Sequence, residues 1–299
     1  MPPHERRLPA TQFTRREIYD IVNDPANNPY DGGLHFPRKF STKLRDAKKL
    51  KFTTFGNSGV EYEFIDENHL RRSQRGVWIE EYYESYDAAP GIVFFFHLHT
   101  NGKGKSTPPP KMSAYCVDFN TGLVTINDAQ IGHYDYTPRD VSGSISFAAF
   151  EVNGKLPAER HSFTDDFVGK VAAWDVGGMW LTHHYINPQF FLNEIGGGAD
   201  SLFLTIAEPA RYVKVAENIY VFTWREMAGP GLMGMDVMDT SKMQSVGMFY
   251  GISEDDRLEC YCFTRHAGKW LSVEDRKKMH KDGIFSVIAD VPRYPVFGE

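Results

Sequence analysis

The residues best suited to chemistry lie on two stretches that read as strands. In Gly91-Ile-Val-Phe-Phe-Phe-His-Leu-His, alternation puts Val93, Phe95, His97 and His99 on one face. Two imidazoles on an apolar face can hold, pass or accept protons near neutral pH. About 127 positions later, Asn218-Ile-Tyr-Val-Phe-Thr-Trp-Arg-Glu puts Tyr220, Phe222, Trp224 and Glu226 on one face. A carboxylate beside three aromatics in a partly dry cavity has a raised pKa and serves as a general acid or base. At a solvated strand end it does neither, and Ala228-Gly-Pro opens a loop just beyond. His97 aligns with Trp224 and His99 with Glu226, so polar groups recur at one depth in both stretches. Glu226, His99 and His97 are therefore the candidate catalytic residues. Trp224, Phe222, Tyr220 and Phe95 are the candidate substrate-binding walls, joined by Tyr62, Trp180, Tyr185 and Tyr250, and by Tyr83. Each of these aromatics would serve a packed core equally well.

Other signals carry less. His97-x-His99 is half of a cupin-type metal site, but Thr100-Asn-Gly-Lys stands where the carboxylate is needed. His183 and His184 are adjacent and point to opposite faces of a strand. Hydrogen-bonded pocket histidines are expected, with no metal and no cofactor. Lys103-Gly-Lys-Ser-Thr lacks the spacing of a phosphate loop, and Pro108-Pro-Pro replaces the helix that must follow one. The segment from Asn101 to Lys111 reads as a loop, placed to act as a lid.

The elements that position these residues are strands. From about Lys51 the hydrophobic period is two: Val60, Tyr62 and Phe64 alternate with Glu61 and Glu63. Trp78-Ile-Glu-Glu-Tyr-Tyr-Glu continues the pattern, and Ser113 to Ile126 forms a hairpin around Asn120-Thr-Gly. The second half repeats the order through Gly169-Lys-Val-Ala-Ala-Trp, Trp180 to Ile186, Arg211 to Val215, and a hairpin from Met235 to Tyr250. Ala89-Pro-Gly-Ile-Val-Phe-Phe-Phe matches Ala216-Glu-Asn-Ile-Tyr-Val-Phe-Thr, which a duplicated unit explains. The expected organisation is an N-terminal extension over 1–45 with a short helix near Arg15–Asn23, a first barrel unit over 46–155, and a second over 160–299. Ser272-Val-Glu-Asp begins a C-terminal helix with a capping-box pattern, placed to close a barrel end or cover a sheet edge.

Composition narrows the function classes. The chain has 299 residues, 41% hydrophobic and 24% charged, with net charge -6. That balance offers no basic surface for nucleic acid. No apolar run reaches the length of a membrane span, and Met1 to Arg16 is charged and Pro-rich, unlike a secretory signal. Cys116, Cys260 and Cys262 make no disulfide framework and fit a reducing cytoplasm. The aromatic count, 22 Phe, 15 Tyr and 5 Trp, suits a thick β core or a cavity wall.

The pattern resembles the calycin-like group that contains the MoaF-type proteins and the phenolic acid decarboxylases. The residues that carry the resemblance are Phe167-Val-Gly, Trp180, Tyr185 and Asn218 to Glu226 in the second unit. In the first unit they are Gly59-Val-Glu-Tyr-Glu-Phe and Ala89 to Phe95. The resemblance implies two tandem lipocalin-like antiparallel β-barrels with a few short helices, and a ligand in the lumen. It places Glu226 where the decarboxylases carry their catalytic glutamate, and Arg75 near their arginine. Their tyrosine pair is unmatched: Trp174 and Val176 stand there. The expected function is a cofactor-independent enzyme acting on a small aromatic or terpenoid-like substrate. Its acid–base chemistry would expel carbon dioxide or water through a quinone-methide-like intermediate, with or without cyclisation. A non-catalytic lipocalin-like binding protein is the alternative. Monomer and homodimer are both open.

Overall fold

The computed structural model describes residues 40–55, 58–74, 76–100, 111–132, 139–176, 179–195, 204–227, 231–253, 256–265 and 267–291. The helix expected near Arg15–Asn23, Arg75 and nearly all of the Asn101–Lys111 segment fall outside these residues; Lys111 itself opens a strand.

The architecture is mainly β, as the alternation requires. The first unit is a closed barrel of eight antiparallel strands in sequence order. These are β1 (Lys49–Thr54), β2 (Gly59–Phe64), β3 (His69–Gln74), β4 (Val77–Ala89), β5 (Ile92–Leu98), β6 (Lys111–Asp118), β7 (Leu123–Ile131) and β8 (Val141–Ala149). β8 returns to pair with β1 through Thr53 and Ala149. Helix α1 (Lys43–Ala47) precedes the barrel and adds Leu44 to its core.

The second unit repeats the plan. It contains β9 (Ser162–Phe163), β10 (Val171–Val176), β11 (Met179–Asn187), β12 (Phe190–Ile195), β13 (Leu204–Ala216), β14 (Ile219–Arg225), β15 (Leu232–Asp239), β16 (Gln244–Ile252), β17 (Leu258–Arg265) and β18 (Ala267–Trp270). β17 pairs with β16, and β18, one residue further on, pairs with β10. One stretch of chain thus holds both edges, and the sheet curls round its own core.

Register shows the duplication. β4 and β13 have equal lengths, and each carries a bulge at the same place, Asp87/Ala89 and Lys214/Ala216. The following turns need a left-handed residue. Gly91 supplies it in the first unit (φ 78°) and Asn218 in the second (φ 60°). Glycine and asparagine are the residues that tolerate that region.

β5 is buried along its whole length. One face, with Val93 and Phe95, lines the first lumen. The other, with Ile92, Phe94 and Phe96, belongs to a core shared with the second unit. Val213, Val221, Met235, Val237, Met248 and Tyr250 supply the opposite side of that core. A strand covered on both faces needs no polar alternation, which is why Phe94-Phe-Phe stands there.

Two expected wall residues lie elsewhere. Tyr250 is fully buried in the core between the units, not in a lumen. Trp180 lies on the outer face of β11, packed with Val171, Ala173, Met279 and Ile284. Its cover is helix α2 (Val273–Asp282) with the short α3 (Phe285–Ile288). The capping box forms as the sequence indicates: Ser272 accepts from the Asp275 amide, and the Asp275 carboxylate accepts from the Ser272 amide. The helix covers the outer side of the sheet rather than a barrel end. Among the described residues no helix is long and apolar enough to cross a membrane.

Candidate functional site

The first lumen holds a chain of polar groups inside an aromatic wall. Phe52, Tyr62, Phe64, Tyr83, Phe95 and Tyr115 pack ring against ring, with Phe95 stacked on Tyr115 at 4.4 Å. From this wall the Tyr62 hydroxyl meets the Tyr115 hydroxyl at 2.5 Å and His97 Nε2 at 3.0 Å. His97 Nδ1 lies 2.8 Å from Glu81 Oε2, off the line of a straight N–H···O bond. Arg72 donates to both Glu81 oxygens, at 2.8 and 3.2 Å, and the Thr100 amide donates to Oε1 at 2.8 Å. Tyr62, Glu81 and His97 are all buried, and Arg72 is 6% exposed.

The geometry sets the proton positions. A carboxylate only accepts, so in neutral His97 it favours the hydrogen on Nδ1 and leaves Nε2 to accept from Tyr62. Burial alone would raise the Glu81 pKa; His97 and Arg72 outweigh it and hold the carboxyl down at about 2. Burial, with Tyr115 alongside, pushes the Tyr62 phenol well above its usual range. The unit therefore has a fixed anion, an oriented imidazole and a phenol that keeps its proton.

A second line runs outward. His99 stacks on His97 at 5.0 Å. His99 Nε2 contacts Ser113 Oγ at 2.7 Å, and that hydroxyl donates to the exposed Asp128. Burial and the neighbouring His97 push the His99 pKa down to about 3, so His99 is neutral at physiological pH. The series His97, His99, Ser113, Asp128 links the interior to solvent.

The second lumen has the same plan with other residues. Phe222 stacks on Tyr212 and Trp224, at 5.6 and 4.9 Å. Tyr185 accepts from Trp174 Nε1 at 3.3 Å and lies beside His183. Tyr220 sits at the end of this wall and donates to Asp166 at 2.9 Å. Arg265 is caged by Trp174, Trp224 and Phe263, and donates to Asp236. Burial raises the Asp236 pKa to about 6 against the attraction of Arg265. Burial drives the His183 pKa well below its usual value.

Glu226 occupies a half-buried strand end, where its carboxylate accepts from Trp224 Nε1 at 2.6 Å. The paired register aligns Glu226 with His99, as the alternation indicates, and aligns the buried Glu81 with the buried Glu208. Sequence reasoning missed Glu81, Arg72 and Tyr115, and left Asp236 ambiguous. The repeat itself carried a signal for the first: the offset that matches the strands also superposes one glutamate on another. Arg72, three positions before Arg75, is the arginine in the first lumen.

The Trp224 ring depends on Gly234, where an added Cβ would meet Cζ2 at 2.2 Å. Gly234→Ala is expected to displace the indole and cost about 1–3 kcal/mol. Urea unfolding and the tryptophan emission maximum check this; an unchanged spectrum and midpoint would show that the ring does not rest on Gly234.

Residues 161–273 match the family model of the MoaF C-terminal domain. The chain is also similar to Protein MoaF of Klebsiella aerogenes, with 29% identity over 101 residues, which is 33% of this chain. The match covers 38% of that protein's own length.

Proposed function

We propose, from the match of residues 161–273 to the family model of the MoaF C-terminal domain and from the geometry of the first lumen, a cofactor-independent acid–base enzyme acting on a small phenolic or otherwise aromatic molecule. The observation that carries this reading is the buried series Arg72, Glu81, His97, Tyr62, Tyr115. An ion pair fixes the imidazole, and the imidazole addresses a phenol inside an apolar wall. A substrate hydroxyl beside Tyr62 would give its proton to His97 through the tyrosine. Returned at carbon, the proton would give a quinone-methide-like intermediate that loses carbon dioxide; returned to a departing benzylic hydroxyl, it would expel water and so form the quinone methide. His99, Ser113 and Asp128 lead to solvent, and a substrate or water oxygen bridging His97 to His99 would complete a path for exchanging that proton. In this proposal Glu226 positions a ligand at the mouth of the second lumen, with Trp224, Phe222, Tyr220 and Tyr185 as walls.

A binding protein without chemistry is the second reading. One observation favours it: the aromatic side chains of the first lumen already contact one another. The two readings separate on 4-hydroxycinnamate, followed by loss of its ultraviolet absorbance and by retained binding. Tyr62→Phe is expected to lower turnover by about 10²–10⁴-fold, the usual worth of a positioned proton-transfer group. Glu226→Gln should stay within about tenfold of the parent if it only positions ligand. Loss of turnover in Glu226→Gln but not in Tyr62→Phe would place the chemistry in the second unit. Binding without turnover by the parent protein would favour the binder.

A further inference from the structure

A cavity of 210 Å³ lies outside both lumens, where β7 and β8 of the first unit face β13, β14 and β15 of the second. Its apolar wall includes Phe163, Ile145, Pro209 and Met233. Phe163 is 54% exposed and meets Phe147 edge-on at 5.3 Å. Gly143 keeps the wall open: a Cβ there would come within 3.1 Å of Met233 Cε and 3.4 Å of Asn127 Oδ1.

The polar lining is rich in donors. Asn127 is 1% exposed, and its side-chain nitrogen has no hydrogen-bond partner among the described residues. A buried amide N–H₂ without an acceptor is costly, so it marks a position for a ligand oxygen. Thr223, Arg211 and Arg225 line the same cavity. Arg225 lies 4.0 Å from Asp140, whereas Arg211 bonds only the Ala210 carbonyl and has no carboxylate partner among the described residues. Among the described residues no Asp or Glu is part of the lining.

We propose that this cleft between the units is a second binding site, for a small aromatic carboxylate. The ring fits the Phe163, Ile145 and Met233 wall. The carboxylate takes the Asn127 amide and the Arg211 guanidinium, with Arg225 adding positive charge at the rim. An uncharged amide of the same shape lacks the charge that Arg211 complements. The site adjoins the second lumen only through Ala210 and Trp224, and does not depend on the activity proposed for the lumens.

Benzoate is the probe, read by the ¹³C-methyl resonances of methionine in the full-length protein. Met233 is expected to shift in a saturable way, with little change at Met238, which belongs to the second lumen. Benzamide should bind at least about tenfold more weakly, the scale of a lost charge-assisted hydrogen bond. Arg211→Gln and Asn127→Leu should each weaken benzoate by a similar factor. Gly143→Val should abolish the Met233 response by filling the wall without changing charge. Movement of Met238 instead of Met233 would put the ligand in the lumen and overturn the assignment. So would equal binding of benzamide, an unchanged affinity in Arg211→Gln, or no Met233 shift at millimolar benzoate.

Discussion

Glu81→Ala is expected to destabilise the fold by about 3–5 kcal/mol. Arg72 is buried and spends its bidentate contact on Glu81. Removing the carboxylate takes the Glu81 charge away from that guanidinium inside a low-dielectric barrel, and also removes an acceptor of the Thr100 amide. Glu81→Gln keeps an acceptor of the same shape and should cost less. The double replacement Arg72→Met with Glu81→Leu removes both charges, and should recover much of the loss because two desolvation penalties vanish together. Urea unfolding of the parent, Arg72→Met, Glu81→Leu and the double variant gives the cycle, with Glu81→Ala and Glu81→Gln measured beside it. A cost below about 1 kcal/mol for Glu81→Ala would mean that the pair behaves as a solvated one.

Acid is expected to unfold the protein through its buried histidines, chiefly between pH 6.5 and 4. His161 is 4% exposed, and burial lowers its pKa from 6.5 to about 4. The folded state thus holds it neutral while the unfolded chain takes up a proton as pH falls through 6.5. Stability is complete above that value and declines until the folded form also protonates near 4. At about 1.4 kcal/mol per unit, His161 alone contributes roughly 3 kcal/mol over this window. His99, held at about 3, acts in the same direction, reduced by its partial exposure. Asp236 opposes them: with a folded pKa near 6, it binds its proton earlier in the folded state and gains stability as pH falls from 6 towards 4. One carboxylate against these histidines leaves a net loss. His161→Phe keeps a ring but cannot titrate, so the slope of stability against pH should flatten. Urea midpoints at pH 7, 6, 5 and 4.5 measure it. An unchanged slope in the variant would remove His161 from the account.

The barrels were legible because pleating writes its period into the chain. Val60, Tyr62 and Phe64 alternate, Asn120-Thr-Gly marks a bend, and the Gly91 and Asn218 stretches repeat. The inward placement of Phe95, His97, Phe222 and Trp224 followed from the same period. What alternation does not give is the side of the sheet on which a second layer lies. Trp180 and Tyr250 look like lumen residues because both are large and buried. Their burial comes from the C-terminal helices and from the facing unit, which are contacts distant in sequence. Glu81 was hidden for the opposite reason. In Ile-Glu-Glu-Tyr-Tyr it reads as a solvated residue, and only its partners on β3 and β5 make a buried carboxylate affordable. Glu226 was correctly placed on the aromatic face, but its depth was not legible, since the strand ends beside it.

The core between the units is built from matching positions. Ile92 and Ile219, Phe94 and Val221, Ala114 and Met235, Cys116 and Val237, and Ile131 and Ile252 all contribute to it, each pair related by the repeat. A surface that meets its own counterpart is the mark of a two-fold dimer. The two units share that general arrangement, each burying equivalent strand faces in the common core. The two halves differ inside: one lumen carries Tyr62 and Tyr115 where the other carries His183 and Asp236. A protein made of one such unit would have to pair with a second copy through this face. Divided between residues 155 and 160, the two halves of this chain should bind each other as a heterodimer, which size-exclusion chromatography of the co-expressed halves would show.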